Sequence, residues 1–131
     1  MFVDASAWTA ILANEPERGA LERKLVSASV ILTSPIANWE TTRALARVLN
    51  GDIVEMALWL RDYQNDVRAL SIPIGDPEQI EALDAHARFG KGRHVAKLNM
   101  GDCFAYACAK TNGVPLLYKG DDFALTDIES A

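Results

Sequence analysis

Apolar and polar positions along the chain follow two rhythms, and the points where they change divide it into strands and helices. Met1-Phe2-Val3 is a short apolar run ending in Asp4, the pattern of a buried first strand. Ser6 to Ala13 reads as a short helix, and Pro16 falls in the first turn of a second one that runs to about Val26. Ser29 to Thr33 is β-branched and apolar, a second buried strand. Ser34-Pro35 offers an N-cap and a first-turn proline, so a long helix runs from there to about Leu49, where Asn50-Gly51 ends it.

Ile53, Met56, Leu60, Tyr63, Val67 and Leu70 then recur at steps of three and four, which predicts a helix. Ala57 and Trp59 lie off that stripe and widen its apolar surface beyond one core face, so part of it is expected to bury against a second subunit. Leu70 to Ile74 is a short strand. Asp76-Pro77-Glu78, with Asp76 as cap, opens a helix to about Phe89. Residues 90–101 hold three glycines and read as a loop. Asp102 to Thr111 is a helix, Val114 to Tyr118 a buried strand and Thr126 to Ile128 a last short strand. Strands that alternate with helices predict a single α/β domain over residues 1–131 with a mainly parallel sheet.

Composition agrees and adds limits. A chain of 131 residues fits one core. Half of it is hydrophobic and 24% is charged, the balance of a soluble globular protein. No apolar run approaches the roughly 20 residues that span a bilayer, and the first residues lack a signal peptide's pattern, so a soluble cytoplasmic protein without membrane attachment is expected. Cys103 and Cys108 form no C-x-x-C pair and read as small buried residues, and His86 and His94 have no cysteine at zinc-ligand spacing. The net charge of −5 argues against a simple basic coat for nucleic acid.

The acidic residues carry the chemistry. In an open parallel sheet, ligands bind beyond the carboxyl ends of the strands. Asp4 ends the first strand, Glu40 lies early in the helix after the second, Asp102 opens a helix and Asp121 follows a strand. Each has a plain reading as well: Asp4 and Asp102 as helix caps, Glu40 as a surface partner of Arg43, Asp121 and Asp122 as turn residues. Gathered at one edge, four carboxylates repel one another unless a cation is bound, and oxygen ligands suit Mg²⁺ or Mn²⁺. Such a site favours phosphodiester cleavage. Asp121, nearer the strand end, is assigned to the metal, and Asp122 to capping the short turn begun by Phe123.

These residues resemble a known family. Met1-Phe2-Val3-Asp4-Ala5-Ser6-Ala7, the stretch 89–110 around Asp102 and the closing stretch 114–128 are similar to the PIN-domain ribonucleases, specifically the VapC toxins of type II toxin–antitoxin pairs. The likeness spans essentially the whole chain. It implies a three-layer α/β/α sandwich, a homodimer, Mg²⁺-dependent endoribonuclease activity and neutralisation by a VapB-type antitoxin. It also implies Asp4, Glu40 and Asp102 as metal ligands, with Ser6 as a hydroxyl beside them. The loop 118–123 is shorter than in many PIN domains, which leaves the fourth acid open between Asp121 and Asp122.

An acidic protein that holds RNA needs a local patch of cations. Four of the 13 Lys/Arg residues fall between 88 and 97: Arg88, Lys91, Arg93 and Lys97, leading straight to Asp102. Arg93 and Lys97 are the expected phosphate contacts, with Arg43 and Arg47 beside Glu40; a solvated charged loop is the plain alternative. Two rival functions remain. A catalytically silent PIN-like binding module would tolerate loss of an acid. An aspartate-based phosphoryl-transfer domain would use Lys119, but it wants Asp-x-Asp where this chain has Asp4-Ala5-Ser6.

Overall fold

Adjacent residues of a strand face opposite sides of its sheet, and here that alternation divides the core in two. The computed structural model describes all of residues 1–131. Strands β1 (Phe2–Val3), β2 (Leu32–Thr33), β3 (Leu70–Ser71) and β4 (Leu116–Leu117) form one all-parallel sheet in the order β3-β2-β1-β4. Phe2, Leu32 and Leu116 face one side, where they join Ala85 and Phe89 of α5 (Asp76–Phe89) and Tyr106 of α6 (Met100–Thr111). Val3 and Leu117 face the other. They pack there with Trp8 of α1 (Ala5–Leu12), Leu25 of α2 (Arg18–Ser27), Leu45 of α3 (Pro35–Leu49) and Leu60 of α4 (Ile53–Asp66). Helices therefore cover both faces of a parallel sheet, the α/β architecture expected from the alternation of patterns.

Local chemistry explains most boundaries. Ser34 Oγ accepts the Ala37 N–H at 3.2 Å and Pro35 occupies the first turn of α3, whose C-cap Asn50 is left-handed at φ 49°. Asp52 Oδ1 accepts the N–H groups of Val54 and Glu55 and so starts α4. The helix stripe stops earlier than expected: α4 ends at Asp66, and Leu70 belongs to β3, where it is exposed. Strands are also shorter than their apolar runs, two residues each, although ladder bonds such as Ile72 N–H to Thr33 O (2.9 Å) and Asp4 N–H to Leu117 O (2.9 Å) continue past them.

Three expectations are corrected. Asp76 is not the cap of α5: Gly75 is, and Glu78 reaches back to the Gly75 N–H at 2.8 Å. Helix α6 starts at Met100 with Asn99 as its cap, so Asp102 is the third residue of its first turn. No strand forms over 126–128. Phe123–Leu125 make a 3₁₀ turn, Thr126 Oγ1 bonds locally, and Asp127 is held by Arg88 (2.6 Å) and the Tyr106 hydroxyl (2.6 Å). Parallel pairing comes just beyond instead: the Leu116 N–H donates to Glu129 O at 2.8 Å and Ala131 N–H to Leu116 O at 3.0 Å.

A polar chain ties the second layer to the sheet. Trp8 Nε1–H donates to Thr33 Oγ1 at 3.3 Å, and the Thr33 hydroxyl donates to Asn38 Oδ1 at 2.9 Å. Gln64 Nε2 donates to the same oxygen at 2.8 Å, which joins α4 to α3. Trp8, Thr33 and Gln64 are all buried, so each needs its partner. Asn38→Ala should therefore strand two buried donors and lower unfolding stability by about 2 kcal/mol. Denaturant titration checks this, and a loss below about 0.5 kcal/mol would show that Asn38 does not anchor the network.

Candidate active site at the carboxyl edge of the sheet

The strand order places β1 between β2 and β4, and the chain leaves the sheet in different directions on the two sides of β1. In parallel sheets, a crevice opens at that place beyond the carboxyl ends. Asp4 follows β1 there and Lys119 follows β4. Asp4 caps α1: its Oδ2 accepts the Ser6 N–H at 2.9 Å and the Ser6 Oγ–H at 2.5 Å. Ser6 Oγ in turn accepts the Lys119 N–H at 3.0 Å, so one hydroxyl joins the ends of both strands. Burial pushes the Asp4 carboxyl above the usual range, against the opposing effect of its bonds to Ser6 and Ala5.

Glu40 and Asp102 face the same cleft from two helices. Burial raises Glu40 to about 7; the charges of Asp4 and Asp102 add to this, and Arg43 opposes it. Asp102 Oδ2 accepts the Asn99 N–H at 2.8 Å, and its own N–H returns a bond to Asn99 Oδ1 at 3.1 Å, a capping box. Its carboxyl rises to about 6, first through burial, against the Asn99 bond, and then through the charges of Asp4 and Asp122. Asp4 and Asp102 thus make Glu40 harder to ionise, and Asp4 does the same to Asp102, across well-separated segments.

The cleft they line measures about 370 Å³ and also holds Ser6, Glu15, Arg47, Asn99 and Lys119. Neither Asp121 nor Asp122 lines it, and of the pair it is Asp122 that acts on Asp102 through its charge. Asp122 also makes no capping bond to the 3₁₀ turn, so the structural role expected of it is not what the geometry shows. Ser6 is in the cleft as expected. Arg43 faces a neighbouring groove between α3 and α4, its guanidinium 4.6 Å from the Trp39 ring centroid, and Arg47 takes the place in the cleft. Arg93 and Lys97 border a separate hollow on the loop with Lys91 and His94. Arg88, the first cation of that run, is committed to Asp84 and Asp127.

Sequence reasoning did not single out Glu15 or Asn99 for the site, and it named Lys119 only for the phosphoryl-transfer rival. The spacing Asn99-x-x-Asp102 was the available signal for the capping box. Nothing local announced that the Lys119 ammonium would pair with Glu15 and, at 3.2 Å, with Glu17, because those partners meet only in the fold.

No three His, Cys, Asp or Glu side chains are grouped so as to hold a metal ion as they stand. The donor set nevertheless suits a hard cation, being all carboxylate oxygen with raised proton affinity, and a positive charge would relieve the repulsion felt by Glu40 and Asp102.

A family model described as PIN domain matches residues 1–129. The chain belongs to the PIN-domain family. Its PIN-domain relatives include a VapC ribonuclease of Rhizobium meliloti, 40% identical over 97% of this chain and 98% of that protein. A ribonuclease VapC of Mycolicibacterium smegmatis is also 40% identical, over 98% and 97%. Among solved structures, Mycobacterium tuberculosis VapC20, described as a sarcin-ricin loop cleaving toxin, superposes with a TM-score of 0.79 over 99% of this chain and 97% of that one. At 19% identity, this likeness speaks for the PIN fold.

The raised carboxyls carry a pH signature. In the folded protein Glu40 and Asp102 keep protons that the unfolded chain gives up near its ordinary values of 4.5 and 3.8. The contribution of these two groups to folding stability should therefore fall as pH rises from about 3.8 to about 7. Groups held low, Glu78 and Asp127, act below this window. Without divalent cations, the parent should lose more stability between pH 5 and 7.5 than Glu40→Gln does. Equal slopes in paired denaturant melts would mean that Glu40 is not destabilised by ionising.

Proposed function

We propose that this protein is a Mg²⁺-dependent endoribonuclease acting as the toxin of a type II toxin–antitoxin pair. The observation that carries the reading is that Asp4, Glu40 and Asp102, from three separate segments, line one cleft, where the charges of Asp4 and Asp102 raise Glu40 and that of Asp4 raises Asp102. Relatives near 40% identity along the whole chain bear names of VapC ribonucleases, which supports RNA as the substrate. A bound Mg²⁺, or Mn²⁺ in its place, would activate water and stabilise charge on the leaving oxygen.

The chain's own groups have distinct tasks in this reading. Asp4, Glu40 and Asp102 offer oxygens to the cation, with Asp122 in preference to Asp121 as the fourth acid. Ser6 fixes one oxygen of Asp4 and Asn99 fixes one of Asp102, so both carboxylates meet the cation already oriented. Arg47 and Lys119 at the cleft would attract the RNA backbone, and Arg43, Arg93 and Lys97 would extend that attraction further out. A VapB-type antitoxin would silence the site most simply by placing an Arg or Lys among the acids, a charge-assisted contact. The apolar side chains left exposed on α4, among them Val54, Leu58 and Trp59, would be covered by a second copy in a homodimer.

Asp4→Asn and Asp102→Asn should each reduce RNA cleavage to background while the fold survives, because the amide keeps the helix-capping shape and removes the anionic ligand. EDTA should silence the parent protein equally. Cleavage that persists in EDTA at the parent rate would reject the metal-dependent reading.

The choice of fourth acid is tested separately. Asp122→Asn should weaken Mn²⁺ binding about tenfold and slow cleavage, whereas Asp121→Asn should leave both within about twofold. Calorimetry and a cleavage assay on the two variants decide between them, and the reverse ranking would return the role to Asp121.

A further inference from the structure

Gly101 stands at the second position of α6, between Met100 and Asp102, and is buried. Alanine is the better helix former, because glycine gives up more backbone freedom. The backbone there does not demand glycine either: the left-handed glycines are Gly92, Gly113 and Gly120. What demands it is space. A Cβ at residue 101 would lie 2.0 Å from Oε2, 2.2 Å from Oε1 and 2.3 Å from Cδ of Glu40, far inside van der Waals contact. Its three nearest neighbours are thus the carboxyl group of one side chain, delivered from α3.

We propose that Gly101 is a positioning residue: its bare Cα forms the seat on which the Glu40 carboxylate rests beside Asp102. The inference rests on the reading of Glu40 as part of the metal-binding set. The seat lies in the first turn of a helix, where the partial positive charge of the amide dipoles offsets some of the repulsion between the two acids. It also explains how a long, flexible glutamate is confined at mid-helix without an ion pair: the six ion pairs of the fold do not include it. Any side chain at position 101 pushes out the free end of Glu40, which can rotate away with little harm to the backbone. Substitution should therefore damage the site and spare the fold.

The test compares Gly101→Ala, Glu40→Gln and the double variant, by Mn²⁺ calorimetry and by thermal melting without divalent cations. Gly101→Ala should melt at or above the parent temperature and bind Mn²⁺ about tenfold more weakly. Added to Glu40→Gln, it should change Mn²⁺ affinity by less than about twofold, because both act through one carboxylate. In a Glu40→Ala background, where the seat is vacant, Gly101→Ala should raise the melting temperature. Parent-like Mn²⁺ affinity in Gly101→Ala, or losses that multiply in the double variant, would overturn the proposal. So would a failure of Gly101→Ala to fold even beside Glu40→Ala. If Glu40→Gln itself binds Mn²⁺ like the parent, the ligand role of Glu40 falls and this proposal with it. A loss in Glu40→Gln with none in Gly101→Ala refutes the seat alone.

Discussion

Burial of carboxylates close to one another is the constraint on which the rest of this structure turns. Asp4, Glu40 and Asp102 are drawn out of bulk water, Glu40 and Asp102 also feel the charges of neighbouring acids, and all three bind their protons more tightly than a free carboxyl does. A fold tolerates that only if the surrounding framework is stable enough to hold them. Here the framework is a parallel sheet buried on both faces, with Trp8 and Tyr106 fully enclosed on opposite sides. The destabilised cluster sits at the sheet's carboxyl edge, outside either core, so its cost does not fall on the packing that holds the layers together.

The framework and the cluster share atoms. Asp4 is both an acid of the cleft and the cap of α1, and Asp102 is both an acid and half of the capping box of α6. The plain and the chemical readings of these residues are therefore not rivals. Hydrogen bonds that close a helix end use one carboxylate oxygen and fix the direction of the other. Preorganisation of this kind comes without additional residues, and it makes each acid's position as well defined as the first turn of its helix.

Much of this was legible in the chain because it depends on short-range chemistry. The alternation of strand and helix patterns, the Ser34-Pro35 start and the Asn50-Gly51 stop are local, and they appear where the pattern places them. The misplaced features are those decided by distant partners. Asp127 could pass for a strand residue until Arg88 and Tyr106 claim it, and Arg88 could pass for a substrate contact until Asp127 claims it. Asp121 is nearer the strand end, while the charge of Asp122 reaches Asp102, and neither lines the cleft. Likewise nothing adjacent in sequence links Glu15 and Glu17 to Lys119.

The C-terminal segment has a consequence for how the sheet can grow. By accepting from and donating to Leu116, residues 129–131 occupy the outer hydrogen-bonding groups of β4, while the clamp on Asp127 holds that segment in place. The side of the sheet next to the acidic crevice is thereby closed to an incoming strand. The far margin is formed by β3, with Leu70 exposed on it, and lies two strands away from Asp4. Edge-to-edge association, the usual hazard of a short parallel sheet, is thus directed to the end of the molecule where an added strand would leave the crevice open.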